Sequence, residues 1–297
     1  MTQQSLQVNG IRIEVDDQGP RDGDPLLLVM GLGMQLIAWP QELVDDLVAR
    51  GYRVIRMDNR DVGLSQPFDQ LGLPNLAWAA LRYAMRLTVR SPYSLQAMAD
   101  DVIGVLDALG IARAHLCGAS MGGMIAQRVA AHRPDRVKSL TLMMTTSGAR
   151  GLPQATPRVR RAMLRRPKSN ETNDVVAHLE RLLRLIGSPG YRPDPQRQRE
   201  RLEASVRRAW RPQGTARQLM AVVADGDRSA LLGDIKAPTL ILHGQDDPLI
   251  PLPHAQDLLG KVSGALIDFV PGMGHDLPLP LLPRFASAIA NNARRFK

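Results

Sequence analysis

Gly118-Ala119-Ser120-Met121-Gly122 is the stretch of this chain whose residue types and spacing promise chemistry. A serine hydroxyl is a weak nucleophile until a base removes its proton, and it must stand clear of its neighbours to reach a substrate. The G-x-S-x-G spacing meets the second need. A strand can turn into a helix within a couple of residues only when the flanking positions lack bulk and the backbones approach closely. A short apolar run at residues 114–117 precedes the motif, and a helix-forming run follows at once. Ser120 is therefore expected at the tip of a nucleophile elbow, in a strained backbone conformation with a helix N-terminus behind it.

The hydroxyl also needs a base, and the base a carboxylate to orient it, with the chain order Ser, then Asp or Glu, then His for this type of elbow. His243-Gly-Gln-Asp246-Asp247-Pro-Leu-Ile-Pro251 follows one predicted strand, and Pro271-Gly-Met-Gly-His275-Asp276 follows the next. Of the six histidines, His275 has the right order and a glycine loop after a strand. His115 and His243 fall in or at the end of predicted strands, His132 near a helix C-terminus, His178 in a helical stretch and His254 at a helix start. The carboxylate is Asp246 or Asp247.

The elements that must position these groups follow from periodicity. Two alternating runs around Asn9-Gly10 predict a hairpin, and the continuous apolar run 26–30 a buried parallel strand. A helix is expected over 39–50, a strand over 52–57, and a helix from the Ser94 cap to Leu109. Between them, residues 66–92 read as an insertion near the site entrance, helical over 76–87. After the elbow comes a strand at 137–143, and there the strand–helix rhythm stops. Helical stretches at 157–166, 173–186, 196–210 and 214–224 follow without a strand pattern. The sheet resumes at 239–243, then a helix at 253–259, a strand at 265–270 and a helix at 279–296. These patterns predict an α/β fold with a mostly parallel, doubly wound sheet. Its core domain comprises residues 1–144 and 233–297, and a helical cap (lid) spans 145–232. Such an insertion leaves the carboxyl edge of the sheet and should roof the site.

Composition narrows the function. Hydrophobic residues make up 44%, and no run of ~18 or more apolar residues suggests a membrane span. The N-terminus lacks the charged and apolar regions of a secretory signal, and Cys117 is the single cysteine, so a cytoplasmic location is expected. Of the net charge of +9, residues 150–211 carry +10, with 16 basic residues against 6 acidic ones. That segment lacks aromatic interleaving, zinc ligands or a helix-turn-helix signature, so nucleic acid is not an expected partner. Its arginines are expected to coat the outer surface of the cap. No phosphate-binding loop, dinucleotide fingerprint or metal-ligand cluster is visible, so no cofactor and no metal are implied.

The elbow, Asp58-x-Arg60-x-x-Gly63-x-Ser65, His243-Gly-x-x-Asp247-x-x-x-Pro251 and Gly274-His275 together resemble the α/β-hydrolase superfamily over nearly the whole chain. In that pattern the acid is the aspartate four residues before the proline, which falls on Asp247. Met30-Gly-Leu-Gly-Met34, residues 58–65, residues 118–124 and Pro271-Gly-Met-Gly-His-Asp-Leu-Pro278 look like a branch of bacterial carboxylesterases akin to the anthracycline (aclacinomycin) methylesterases. An oxyanion hole needs two backbone amides, one after the nucleophile and one from the early loop; Met121 and Leu32 supply them. Met30 stands where many relatives have histidine, which alters the side-chain support of that loop but not its backbone donors. Serine at the elbow departs from the dehalogenases and epoxide hydrolases, which use aspartate. The resemblance thus implies a serine esterase acting on a small-molecule ester through an acyl-enzyme, with Ser120, His275 and Asp247 as its triad. C–C bond or thioester hydrolysis would use the same triad, whereas a non-catalytic binding protein would have no need of all three. Met163, Leu164, Leu179, Leu182, Leu183 and Met220 of the cap are candidates for the pocket wall.

Overall fold

Asn9 and Gly10 both adopt positive φ (50° and 75°), and the tight turn they make joins β1 (Thr2–Val8) to β2 (Ile11–Gln18) as an antiparallel hairpin. From this edge a single sheet continues in the order β1-β2-β4-β3-β5-β6-β7-β8 in the computed structural model, which describes residues 2–296. Met1 and Lys297, the outermost residues of the expected core segments, lie outside the described residues. β2 pairs antiparallel with β4 (Tyr52–Met57). β4, β3 (Asp24–Val29), β5 (Ala114–Ala119), β6 (Val137–Met143), β7 (Thr239–Gly244) and β8 (Leu266–Val270) are mutually parallel. The fold is α/β, with helices on both faces of a mostly parallel sheet.

Alternation along each strand decides which layer a side chain joins. Leu27 and Val29 of β3 face one apolar layer with α3 (Leu95–Ala108), α4 (Met121–His132) and α10 (Pro253–Lys261). Leu26 and Leu28 face the other, with α1 (Gln41–Ala49) and α11 (Leu282–Ala293). Cys117 is buried in this second layer, where burial pushes its thiol pKa up and leaves it unreactive. Two buried arginines of β4 would be costly if unpaired. Arg53 and Arg56 each meet an aspartate of the adjacent β2, Asp17 and Asp16.

The helix expected over 76–87 ends at Ala84 and that over 157–166 at Met163, and two others start late. The helix predicted over 39–50 begins only at Gln41, because Pro40 marks its start and Trp39 is fully buried in the apolar layer that α1 and α11 share. The closing helix predicted over 279–296 has a 3-10 turn at Leu279–Leu281 before α11, with Pro283 in the first turn of that helix.

β3 pairs with β4 on one side and β5 on the other, so the chain reverses its winding there. In such sheets the crevice outside the carboxyl ends of the two central strands accepts ligands. Over this crevice, between β6 and β7, lie α5 (Pro157–Met163), α6 (Thr172–Ile186), α7 (Pro195–Arg208), α8 (Pro212–Asp225) and the short α9 (Ser229–Leu232). Thr156 and Asp194 cap α5 and α7, and a proline occupies the first turn of α5, α7 and α8. α6 and α7 share a small core of Val175, Val176, Leu202 and Val206. Earlier in the chain, α2 (Leu76–Ala84) leans on α8 through Ala79 and Met220.

Arginines of the inserted helices do more than coat a surface. Arg208 of α7 donates to Asp58 at 2.7 Å, and Arg217 of α8, fully buried, grips Asp61 with two bonds of 2.6 and 2.8 Å. Burial works against the Asp61 charge, yet hydrogen bonds from Arg217, the Phe68 amide and Tyr93 hold its pKa below normal. Removing one partner of such a buried pair costs about 3–5 kcal/mol.

Candidate active site

Ser120 sits between β5 and α4 with φ 54° and ψ −119°, a region that a non-glycine residue enters only under strain, about 1–3 kcal/mol. The surroundings hold it there. Its amide donates to the Met143 carbonyl at 2.9 Å, and its carbonyl accepts from Thr145 Oγ1 at 2.7 Å. Both flanking glycines are required by close approach. A Cβ on Gly122 would lie 2.0 Å from the Val29 carbonyl oxygen, and one on Gly118 2.3 Å from that of Gly122.

The loop after β8 brings His275 Nε2 to 3.1 Å from Ser120 Oγ, and the loop after β7 brings Asp247 Oδ2 to 2.7 Å from His275 Nδ1. Asp247 is buried, and its Oδ1 accepts from the Leu249 and Ile250 amides at 2.9 and 2.8 Å, which fixes the carboxylate plane. Asp246, the other candidate, points to solvent and accepts from the Gly272 amide at 2.8 Å. Beneath the pair, buried His243 donates from Nε2 to the Ile250 carbonyl at 2.8 Å, 3.9 Å from Asp247 Oδ2. Burial lowers the His243 pKa and keeps the ring neutral, so the Asp247 charge is not shared with a second imidazolium. His115 and His254 are tied up elsewhere, the first between Ser139 and Asp24, the second between Thr146 and the Pro153 carbonyl.

The inserted helices help hold the histidine. At the end of α6 the Ile186 carbonyl accepts from the His275 amide at 2.8 Å, and Ser188 Oγ accepts from the Gly274 amide at 2.9 Å. The Ser188 hydroxyl in turn donates to Asp276, whose pKa is pushed up by burial.

Opposite Ser120 runs the loop after β3. Among the described residues, neither the Leu32 nor the Met121 amide donates a hydrogen bond within the chain. Their neighbours are held firmly. Gln218 of α8, fully buried, accepts from the Gly33 amide and donates to the Arg60 carbonyl, both at 2.8 Å. Asn59 donates to the Met30 carbonyl at 2.8 Å, and Asp58 accepts from the Leu36 amide at 2.6 Å. Burial pushes the Asp58 pKa up against the pull of Arg208 and two backbone amides. Sequence reasoning missed Asn59, Gln218 and Ser188. Asn59 lies inside the Asp58–Ser65 motif and was there to be found; Gln218 sits in ordinary helical sequence and Ser188 in the Gly-Ser-Pro-Gly loop after α6, neither with a local signal of its partner.

A cavity of about 1070 Å³ opens over Ser120 and His275. Of the six residues expected in its wall, Met163, Leu179, Leu182 and Leu183 line it. Leu164 instead lies 72% exposed, and Met220 is buried against Ala79 and Val89, because its face of α8 packs on α2. Among the described residues, no three His, Cys, Asp or Glu side chains cluster as metal ligands would.

The model of a family described as the alpha/beta hydrolase fold matches residues 24–277. The chain belongs to the α/β-hydrolase family. Rhodomycin D methylesterase DnrP of Streptomyces peucetius is 30% identical over 291 residues, covering 91% of each chain. Rhodomycin D methylesterase DauP of Streptomyces sp. (strain C5) is 31% identical over the same length and coverage. The meta-cleavage product hydrolase CumD of Pseudomonas fluorescens IP01 shares the fold, with a TM-score of 0.74 at 20% identity over 99% of this chain and 98% of its own. By sequence this α/β-hydrolase stands among esterases and other hydrolases, and hydrolysis is its chemistry.

Proposed function

We propose that this hydrolase is a serine carboxylesterase of small-molecule esters, working through an acyl-enzyme. The observation that carries the reading is the continuous hydrogen-bonded chain from Ser120 Oγ through His275 to Asp247. His275 Nε2 takes the serine proton as Oγ attacks the ester carbonyl, while Asp247 stabilises the imidazolium and fixes its tautomer. The Leu32 and Met121 amides receive the oxyanion, a task for which fixed backbone donors need no reorganisation. The tetrahedral intermediate collapses, His275 hands the proton to the departing alcohol, and water repeats the sequence to release the acid. In this reading residues 145–232 act as a cap that excludes bulk water and shapes the pocket. The methylesterase relatives and the large, mainly apolar cavity favour esters of bulky apolar acids over short acyl chains.

Ser120→Ala should retain its fold and lose activity by ~10³-fold or more, and a serine-directed phosphonate should label Ser120 alone. Methyl esters of polycyclic acids should be turned over in preference to p-nitrophenyl acetate. Stoichiometric labelling elsewhere would remove Ser120 from the role. Efficient cleavage of C–C bonds or thioesters with esters left intact would move the same triad to those chemistries.

A further inference from the structure

α2 and the segments on either side of it turn large apolar side chains to solvent: Leu73, Trp78, Leu81, Tyr83, Met85 and Leu87 are 45–61% exposed. The opposite face of α2 is buried on α8 through Ala79, so the helix is amphipathic with its second apolar face uncovered. α5 behaves likewise. Val159 is buried, while Leu164 faces outward and Met163 is part-exposed at the edge of the cavity. Both helices border one cavity, since Tyr83 of α2 and Arg160 and Met163 of α5 line it.

Charge in the sequence on and beside these two helices is of one sign. No acidic residue occurs between Asp69 and Asp100, or between Asp135 and Glu171. On or beside the two helices these stretches place Arg82, Arg86 and Arg90, and Arg158, Arg160, Arg161, Arg165, Arg166 and Lys168. Among the described residues, none of these nine side chains has an ion pair, and Arg82 alone of them makes a hydrogen bond, to the Thr88 carbonyl. The contrast with α7 is informative, because four of its five arginines, Arg197, Arg199, Arg207 and Arg208, are paired with carboxylates. Asp69, at the margin of the patch, is taken up by Arg217.

We propose that α2 and α5 form a docking surface for an anionic phospholipid bilayer, seating the mouth of the cavity on the lipid surface. Exposed Trp, Tyr, Leu and Met beside unpaired arginines is the composition that holds an amphipathic helix in the headgroup region. Each arginine near an anionic surface strengthens partitioning by about fivefold at physiological ionic strength. No described helix is long and apolar enough to cross a membrane, so the attachment is peripheral. Bound this way, the cavity opens where apolar esters concentrate. The docking goes beyond the esterase reading and does not depend on it.

Vesicle cosedimentation tests the proposal, with phosphatidylglycerol mixed into phosphatidylcholine against phosphatidylcholine alone. The Ser120→Ala protein is included so that binding is read independently of chemistry. The expected result is binding of both proteins to the anionic vesicles only, reversed by salt, with a blue shift of the Trp78 fluorescence. Arg161→Glu/Arg165→Glu and Trp78→Ala/Met85→Ala should each lower the partition coefficient by ~10-fold or more, with thermal unfolding and hydrolysis of a soluble ester unchanged. Protein that stays in the supernatant with anionic vesicles, or that binds neutral ones equally, overturns the proposal. So does a dimer in analytical ultracentrifugation that Trp78→Ala/Met85→Ala dissociates, since a second copy of the chain would then cover the patch.

Discussion

Asp246 and Asp247 are adjacent carboxylates with opposite fates, and the difference is one of direction. In the turn after β7, one side chain is drawn inward by the Leu249 and Ile250 amides, and the other is left at the surface against Gly272. Carboxylate chemistry is identical in both, so only the inward one can hold the His275 tautomer. Asp247→Asn should reduce turnover by ~10³ to 10⁴-fold, because an amide permits the wrong tautomer. Asp246→Asn should leave turnover within about twofold and cost at most ~1 kcal/mol of stability. Steady-state kinetics on the two purified variants checks this, and a reversed order would mean that the loop register differs by one residue. Residues alone make the pair ambiguous; the spacing to Pro251 in the family pattern is what pointed to Asp247.

At the scale of elements, what was legible in sequence is what local physics dictates. The run 26–30 reads as a strand, which β3 is up to Val29, because burial on both faces demands unbroken apolar residues, and the elbow reads as a turn because only glycine permits the contacts at 118 and 122. Trp39 was misread as helical because its apolar character extends the α1 pattern, although Pro40 after it already marks a helix start. Gln218 was invisible for another reason. Its partners, Gly33 and Arg60, lie far away in the chain, and a glutamine within a helix carries no sign of them. Yet that side chain braces the loop that presents the Leu32 amide. Gln218→Met, close in volume, should lower kcat by ~10-fold with KM little changed, a fraction of the loss from removing an oxyanion donor outright. Gln218→Glu should recover part of it, since a carboxylate still accepts from Gly33. An unchanged kcat in Gln218→Met would show that the loop holds its shape unaided.

For the molecule as a whole, buried His243 makes stability depend on pH. Its pKa lies below the ordinary 6.5 when folded, because burial disfavours the cation. Between that lowered value and 6.5 the unfolded chain binds more protons than the folded one, so stability rises with pH through this window and is lost as pH falls below 6.5. Thermal unfolding from pH 8 to 5 should show the decline, and His243→Gln, which can still donate to Ile250, should flatten it. An identical slope in the variant would assign the effect to other groups. The joints between sheet and inserted helices also bear on how this protein can be recombined. Asp58 and Asp61 are supplied by the sheet side, Arg208 and Arg217 by the inserted side, and Gln218 reaches back to Gly33. The set of inserted helices is therefore not an interchangeable module. A chimaera given a relative's helices without matching arginines would inherit two buried carboxylates with no counter-charge and a loosened loop at Leu32. Variation that retunes the pocket must then run through side chains such as Met163 or Leu182, which face the cavity and carry none of these joints.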